Sequence, residues 1–297
     1  MAYLLAIEAT GAVCGVALVQ DGALAGAVRL AHGLNLSGSL LHAAEWLLAR
    51  RGLSLAQVDA FAVDVGPGAF TGLKIGAMLA KSWAHALGKP LVAVSAFEAC
   101  AAQMPAGAPT LVALPARRDA LYLQWLLPAD AGLPQPLGEP AFVVREMLGE
   151  WLAHNSGSPR VRGEPAGGGA VHASEGEALQ AVGAAHAREW LAPHLPRLRW
   201  RVLDAPPVEG AAQVGWRRWL AGETIHPFAL TPLYIQPPSI HLKGAGDLKS
   251  SGATRAGSNP ALGTQSESTL SRLRAIPCIG NASHRAPEDF KSPAPLR

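Results

Sequence analysis

The chain has 297 residues, 49% of them hydrophobic, and a formal net charge of +3. That length suits one large domain or two of ordinary size, and no apolar run reaches the roughly 18 residues that a membrane span needs. Three widely spaced cysteines, Cys14, Cys100 and Cys278, supply neither a disulfide framework nor a zinc site. The opening MAYLLAIEAT has no basic n-region, so it reads as a strand and not as a signal peptide; the expected location is the cytoplasm. From Ser239 onward eight Lys/Arg oppose four Asp/Glu, which leaves the rest of the chain at −1. That rest lacks the basic face of a nucleic-acid binder.

Taken in order, Leu4–Glu8, Gly15–Gln20 and Ala25–Leu30 are short apolar strands, the second pair joined by the hairpin dipeptide Asp21-Gly22. Ser37–Arg51 is amphipathic at helical spacing, with Gly52 placed to end it. Asp59–Val65 is a strand, Thr71–Leu87 a helix closed by Gly88-Lys89-Pro90, and Leu91–Ser95 another strand. The order βββαβαβ is that of a ribonuclease-H-like lobe of the actin, Hsp70 and sugar-kinase superfamily. The expected fold class is α/β with two such lobes, 1–104 and 105–243, the second smaller and less regular.

In the second lobe Thr110–Pro115 and Ala120–Leu127 read as strands and Phe142–His154 as a helix. Arg160–Gly163 reads as a strand before Gly167–Gly169, Val208–Ala221 as a helix and Leu233–Gln236 as a final strand. Six tryptophans between Trp125 and Trp219 read as core indoles. Residues 244–297 change character: they are rich in Gly, Ser, Pro and Ala without an apolar period, the composition of a disordered tail. The run AGSNPA is what one frame through a tRNA gene would spell, so this tail reads as a non-native extension.

The densest motif is Gly66–Gly76, GPGAFTGLKIG, between a strand and a helix. Gly66 and Gly68 allow positive φ and close backbone approach, Pro67 fixes the turn, and Thr71 is placed to cap the helix. Gly72 and Gly76 leave a smooth stripe on that helix. The spacing is not that of a GxxxxGK[ST] phosphate loop.

This motif resembles the signature of the bacterial tRNA threonylcarbamoyladenosine biosynthesis proteins of the TsaB (YeaZ) type, within the glycoprotease-like superfamily. The resembling positions are Gly66, Pro67, Gly68, Phe70, Thr71, Gly72 and Gly76. The family usually has Ser in place of Ala69 and Arg in place of Lys74. LLAIEATGAVCGVAL, KPLVAVSAFEACA, LPARRDALYLQW and LTPLYIQPP extend the likeness from Leu4 to about Lys243. Glu8-Ala9-Thr10 and Pro115 depart from the family's usual Asp-Thr-Ser and Asp.

The resemblance implies a non-catalytic subunit for threonylcarbamoylation of the adenosine next to the tRNA anticodon. Such a subunit binds and stabilises a catalytic paralogue of TsaD type, an ATPase of TsaE type joins, and tRNA is met indirectly through the complex. The paralogue's metal-binding His-x-x-x-His pair corresponds here to Ala96 and Cys100, so no metal site is expected. Neither is a cofactor in the isolated chain; ATP and metal belong to the partner subunits. His32 and His42, ten apart, do not supply a ligand pair. The family's pairing surface is built from the two first-lobe helices, which makes Leu40, Ala44, Leu47, Gly72, Leu73, Gly76, Ala77 and Ala80 the candidates for partner binding. A homodimer through the same face is the fallback. The alternative is a stand-alone actin-fold phosphotransferase or hydrolase using Glu8 at the phosphates. It needs a second acid beside a glycine loop, and near Gly167–Gly169 only His172 and Glu175 are offered. Glu8 therefore reads as a turn residue held by backbone N–H groups.

Overall fold

The computed structural model describes residues 1–235 apart from 32, 34, 117–118, 130–131 and 156–178. Strands β1 (Tyr3–Glu8), β2 (Val13–Gln20) and β3 (Ala23–Ala31) form an antiparallel meander. Asp21 and Gly22, at φ 48° and 87°, make the turn. Both angles are positive, as a two-residue hairpin matching the twist of its strands requires. Helix α1 (Leu36–Ala49) is followed by Gly52 at φ 66°, then β4 (Ala60–Asp64). Helix α2 (Phe70–Leu87) ends at left-handed Gly88 and leads into β5 (Leu91–Val94).

The first sheet runs β3-β2-β1-β4-β5, with β4 parallel to both β1 and β5. Helices α1 and α2 lie on one face, where Leu40, Leu47, Ala77 and Ala80 pack on Leu5, Ile7, Phe61 and Val63. This is the lobe that the apolar periods of the sequence describe.

The second sheet is built from β6 (Thr110–Pro115), β7 (Ala120–Leu127), β8 (Gln135–Pro136), β9 (Ala141–Val144), β10 (Gln180–Gly183) and β11 (Arg199–Val202). Its order is β11-β10-β6-β7-β8, and β9 also pairs with β7. Helices α3 (Ala96–Ala101), α4 (Leu148–Asn155), α5 (Ala185–Leu191) and α6 (Val208–Leu220) complete the described elements.

Two expectations change. Phe142–His154 is not one helix: Phe142, Val143 and Val144 are β-formers that find a partner in β7, so the chain stays extended there, and α4 begins only at Leu148. Leu233–Ile235 is not a strand, although the Leu233 N–H donates to the Val65 carbonyl at 2.7 Å. Arg160–Gly163, Gly167–Gly169, His172, Glu175, His32, Gln236 and the 244–297 tail lie outside the described residues. The six tryptophans are packed into, or against, the two cores.

The helices do not stay with the sheet nearest in sequence. Helix α3 buries Phe97 and Cys100 against Val112, Leu114, Leu126 and Val182 of the second sheet. Helix α6, at the other end of the chain, packs Val208, Ala211, Ala212 and Val214 on Leu4, Ala6, Ala62 and Val94 of the first. Two glycines let α6 come close: a Cβ on Gly215 would lie 2.5 Å from the Ala62 methyl, and one on Gly210 would strike the Ala99 carbonyl of α3. By packing, α6 thus belongs with the first sheet although it follows residue 105 in the chain. Among the described residues no helix is long and apolar enough to cross a membrane.

Candidate functional site

Strand β4 delivers the chain to the signature turn, which folds back on the β1–β2 hairpin. Gly66 sits at φ 100° and precedes a cis peptide bond to Pro67. Gly68 does not take a positive φ. Its requirement is space, because a Cβ there would lie 2.5 Å from the Thr10 carbonyl oxygen. That carbonyl accepts from the Ala69 N–H at 2.8 Å, so the two turns are stitched together through backbone. The helix starts at Phe70 with Ala69 at its N-cap and no side-chain cap; Thr71 lies exposed in the first turn and does not cap. Gly76 faces Ala9 and Val63, where a Cβ would come to 3.3 Å from the Ala9 methyl.

The stripe of small residues therefore serves packing within the chain. Leu40, Ala44, Leu47, Gly72, Leu73, Gly76, Ala77 and Ala80 are all buried, most of them against the first sheet. Helical periodicity marks the apolar side of α1 and α2, and that side is already covered by this chain's own strands. What the two helices present outward is a second, thinner apolar set: Leu41, Trp46, Phe70 and Met78, with Trp46 58% and Met78 63% exposed. Lys74 lies 4.0 Å over the Phe70 ring, which also meets Tyr234 at 5.8 Å.

Behind the turns lies a buried polar cluster. Glu8, Thr10 and Asp64 are each at most 3% exposed. Glu8 Oε1 accepts from the Thr10 N–H and the Thr10 hydroxyl, both at 2.6 Å, and from the Gly11 N–H at 3.2 Å. Glu8 is thus held by its own turn. Its Oε2 is buried and has no hydrogen-bond partner among the described residues. Asp64 Oδ1 accepts from the Gly66 N–H at 2.7 Å, and Asp64 Oδ2 stands 3.5 Å from the Thr10 hydroxyl. Burial pushes the Glu8 carboxyl up to about 7 against the pull of its three donors. Asp64 is pushed well above the usual carboxylate range, first by burial, then by the Glu8 charge, with only the Gly66 N–H and the distant hydroxyl opposing. Burial likewise raises the Cys14 and Cys100 thiols, which makes them unreactive packing groups.

Two crevices flank this cluster and share the Asp204–Pro206 segment before α6. One, of about 290 Å³, is lined by Glu8, Cys14, Arg29, Arg201 and Asp204; the other, of about 340 Å³, by Thr10, Gly68, Pro115, Tyr122 and Asp204. Gly11 touches this segment directly: a Cβ there would lie 2.6 Å from the Ala205 methyl.

Ala96 and Cys100, the positions weighed above as a ligand pair, lie on α3. Both are fully buried in apolar surroundings. Ser95 and Glu98 cap the helix reciprocally, and Glu98 is paired by Arg218 of α6, Nη2 to Oε1 at 2.6 Å. Arg218 also donates to the Ala93 carbonyl at 2.6 Å. One guanidinium thus joins α6, β5 and α3. Among the described residues no group of three or more His, Cys, Asp or Glu is placed to hold a metal ion, and His42 is exposed. Sequence reasoning missed Asp64, Glu98 and Arg218; the only signals were an acid closing the apolar run AFAVD and the Ser-x-x-Glu capping pattern.

Fold and site together define an α/β protein of two sheets, with its signature turn between β4 and α2. YeaZ of Pseudomonas aeruginosa has this fold: its structure superposes with a TM-score of 0.61 at 24% identity, covering 79% of this chain and all of the other. Within that class, residues 33–129 match the family model described as TsaD: tRNA N6-adenosine threonylcarbamoyltransferase. The chain is 36% identical over 98 residues to the tRNA threonylcarbamoyladenosine biosynthesis protein TsaB of Haemophilus influenzae, a match covering 33% of this chain and 41% of that relative. It is 42% identical over 67 residues to the tRNA N6-adenosine threonylcarbamoyltransferase of Sphingopyxis alaskensis, covering 23% of this chain and 20% of the relative. The resemblance to the TsaB (YeaZ) type read from the signature turn is borne out. The matched stretch spans well under two thirds of either curated relative.

Proposed function

We propose that this chain takes part in forming threonylcarbamoyladenosine in tRNA as a non-catalytic cytoplasmic subunit that binds and stabilises a catalytic paralogue of TsaD type. The observation that carries this is the 36% identity to TsaB over 98 residues. Residues 33–129, which hold α1 and the signature turn, match the transferase model, as expected of two chains descended from one fold. The burial of Ala96 and Cys100 supports a non-catalytic role, since the helix that would carry ligands is a core element here. In this reading ATP and metal are held by the partner subunits, an ATPase of TsaE type joins for turnover, and tRNA is reached through the complex.

The pairing surface is the outer side of α1 and α2, with Leu41, Trp46, Phe70 and Met78 as its apolar contacts in place of the buried set. The test is reconstitution. Purified transferase paralogue is assayed for tRNA modification with and without this chain, and the two are tested for co-elution. Strong dependence on the chain together with a stable complex is expected; full modification without it sinks the proposal.

A further inference from the structure

The cluster behind the signature turn has fewer donors than two ionised carboxylates need. Thr10 has one hydroxyl proton, and its 2.6 Å contact to Glu8 Oε1 claims it. Asp64 Oδ2 then faces an oxygen lone pair at 3.5 Å, and Glu8 Oε2 has no hydrogen-bond partner among the described residues. With both groups ionised, two negative charges would sit buried with no cation between them. The guanidinium groups around the cluster are engaged elsewhere among the described residues: Arg218 by Glu98, Arg29 by Glu209, and Arg201 by the Gln103 carbonyl.

From this count of donors we infer that Asp64 holds a proton at neutral pH and turns it toward Thr10 Oγ1, whose own proton goes to Glu8. The chain of bonds then runs in one direction, and a proton does here what a cation does at Glu98. It lies on Asp64 because Glu8 collects three donors and Asp64 Oδ1 only one, the Gly66 N–H. The shifts of both carboxyls agree in direction. The charged and titratable groups around Asp64 are Glu8 on β1, Glu98 and Cys100 on α3, and no group among them favours its ionisation. The linkage matters because Thr10 is also the residue stitched to Ala69 at the head of α2. The protonation of Asp64 therefore sets how firmly the signature turn is held against the first hairpin.

The sign follows from proton counting. In the unfolded chain Asp64 titrates near the usual value of about 4. In the folded chain it retains its proton to much higher pH, so its contribution is complete below pH 4. That contribution is lost as pH rises toward the folded value, at about tenfold in the folding constant per pH unit. Asp64→Asn keeps the same bonds with an amide donor and has no proton to lose. Urea unfolding across pH 5 to 8 should show Asp64→Asn with a shallower slope than wild type, the remainder belonging to Glu8, and tenfold or more above wild type in folding constant at pH 8. Carbon-13 NMR of the aspartate carboxyls in the wild-type chain should show one that stays protonated through pH 6, and Glu8→Gln should lower its titration point. An Asp64 carboxyl titrating near pH 4 in the wild-type chain overturns the inference, as does an unchanged slope in Asp64→Asn. The NMR measurement decides the matter alone if that variant does not fold.

Discussion

Two carboxylates are buried beside the junction of the two sheets, and the molecule treats them differently. Glu98 on α3 is answered by a full positive charge, Arg218, which reaches across from α6. Asp64, at the end of β4, has no cation and shares a hydroxyl with Glu8. The first arrangement spans two helices that belong to different sheets, so it reports on how the halves are held. The second joins two turns of one sheet and reports on how the signature turn is held. The difference teaches that burial alone does not decide how an acid is held; the groups that face it do.

The largest effect should come from removing the cation. Arg218→Ala leaves the Glu98 carboxylate 8% exposed with only its capping bonds, and opens the link between α6, β5 and α3. Because Arg218 is itself 22% exposed, a loss of about 3 kcal/mol is expected in urea unfolding, the low end for a broken buried pair. Adding Glu98→Gln should recover part of it. A loss within about 0.5 kcal/mol, that of an ordinary surface change, would show that the pair does not hold the halves.

Next in size is Gly68→Ala. The new methyl would sit 2.5 Å from the Thr10 carbonyl oxygen, against backbone that cannot turn away. The turn must move and the Ala69 bond to Thr10 lengthen, for about 2 kcal/mol. Gly88→Ala offers a measure of a different kind. Its Cβ meets nothing, so only the left-handed φ of 61° is penalised, and about 1 kcal/mol is expected. The ratio of the two separates crowding from backbone conformation.

These positions also show what could be read from the residues in advance. Asp21-Gly22, Gly52 and Gly88 were legible because each acts through its own φ, a local property. Helices α1 and α2 were legible from their period, but the period names an apolar side without naming what covers it. That is why the eight residues assigned to a partner are buried within this chain, Leu40, Ala44, Leu47, Ala77 and Ala80 against its own first sheet. The strands β10 and β11 were not legible: each has four residues, too few to show a period, and each is held by parallel pairing to a strand from elsewhere in the chain. Glu8 and Asp64 are 56 residues apart and meet only because β1 and β4 run parallel in register. No spacing in the chain announces that.

The smallest effect on folding, and the most informative about partners, is expected on the outer side of the same helices. Trp46 is 58% and Met78 63% exposed, on helices whose inner sides are full. Trp46→Ala removes a large ring that the isolated chain scarcely uses, so stability should stay within about 0.5 kcal/mol of wild type. If this side meets the paralogue, an exposed tryptophan at its centre carries a disproportionate share of the binding, and its loss should weaken co-elution at least tenfold, roughly 1.4 kcal/mol or more. Ala80→Ser, on the buried side of α2, should reverse the pattern: it costs folding stability by placing a hydroxyl among Leu and Ala side chains, and leaves affinity per folded molecule unchanged. Equal binding by wild type and Trp46→Ala would move the interface off this side of the molecule, while leaving the Arg218 bridge and the Asp64 proton as they are.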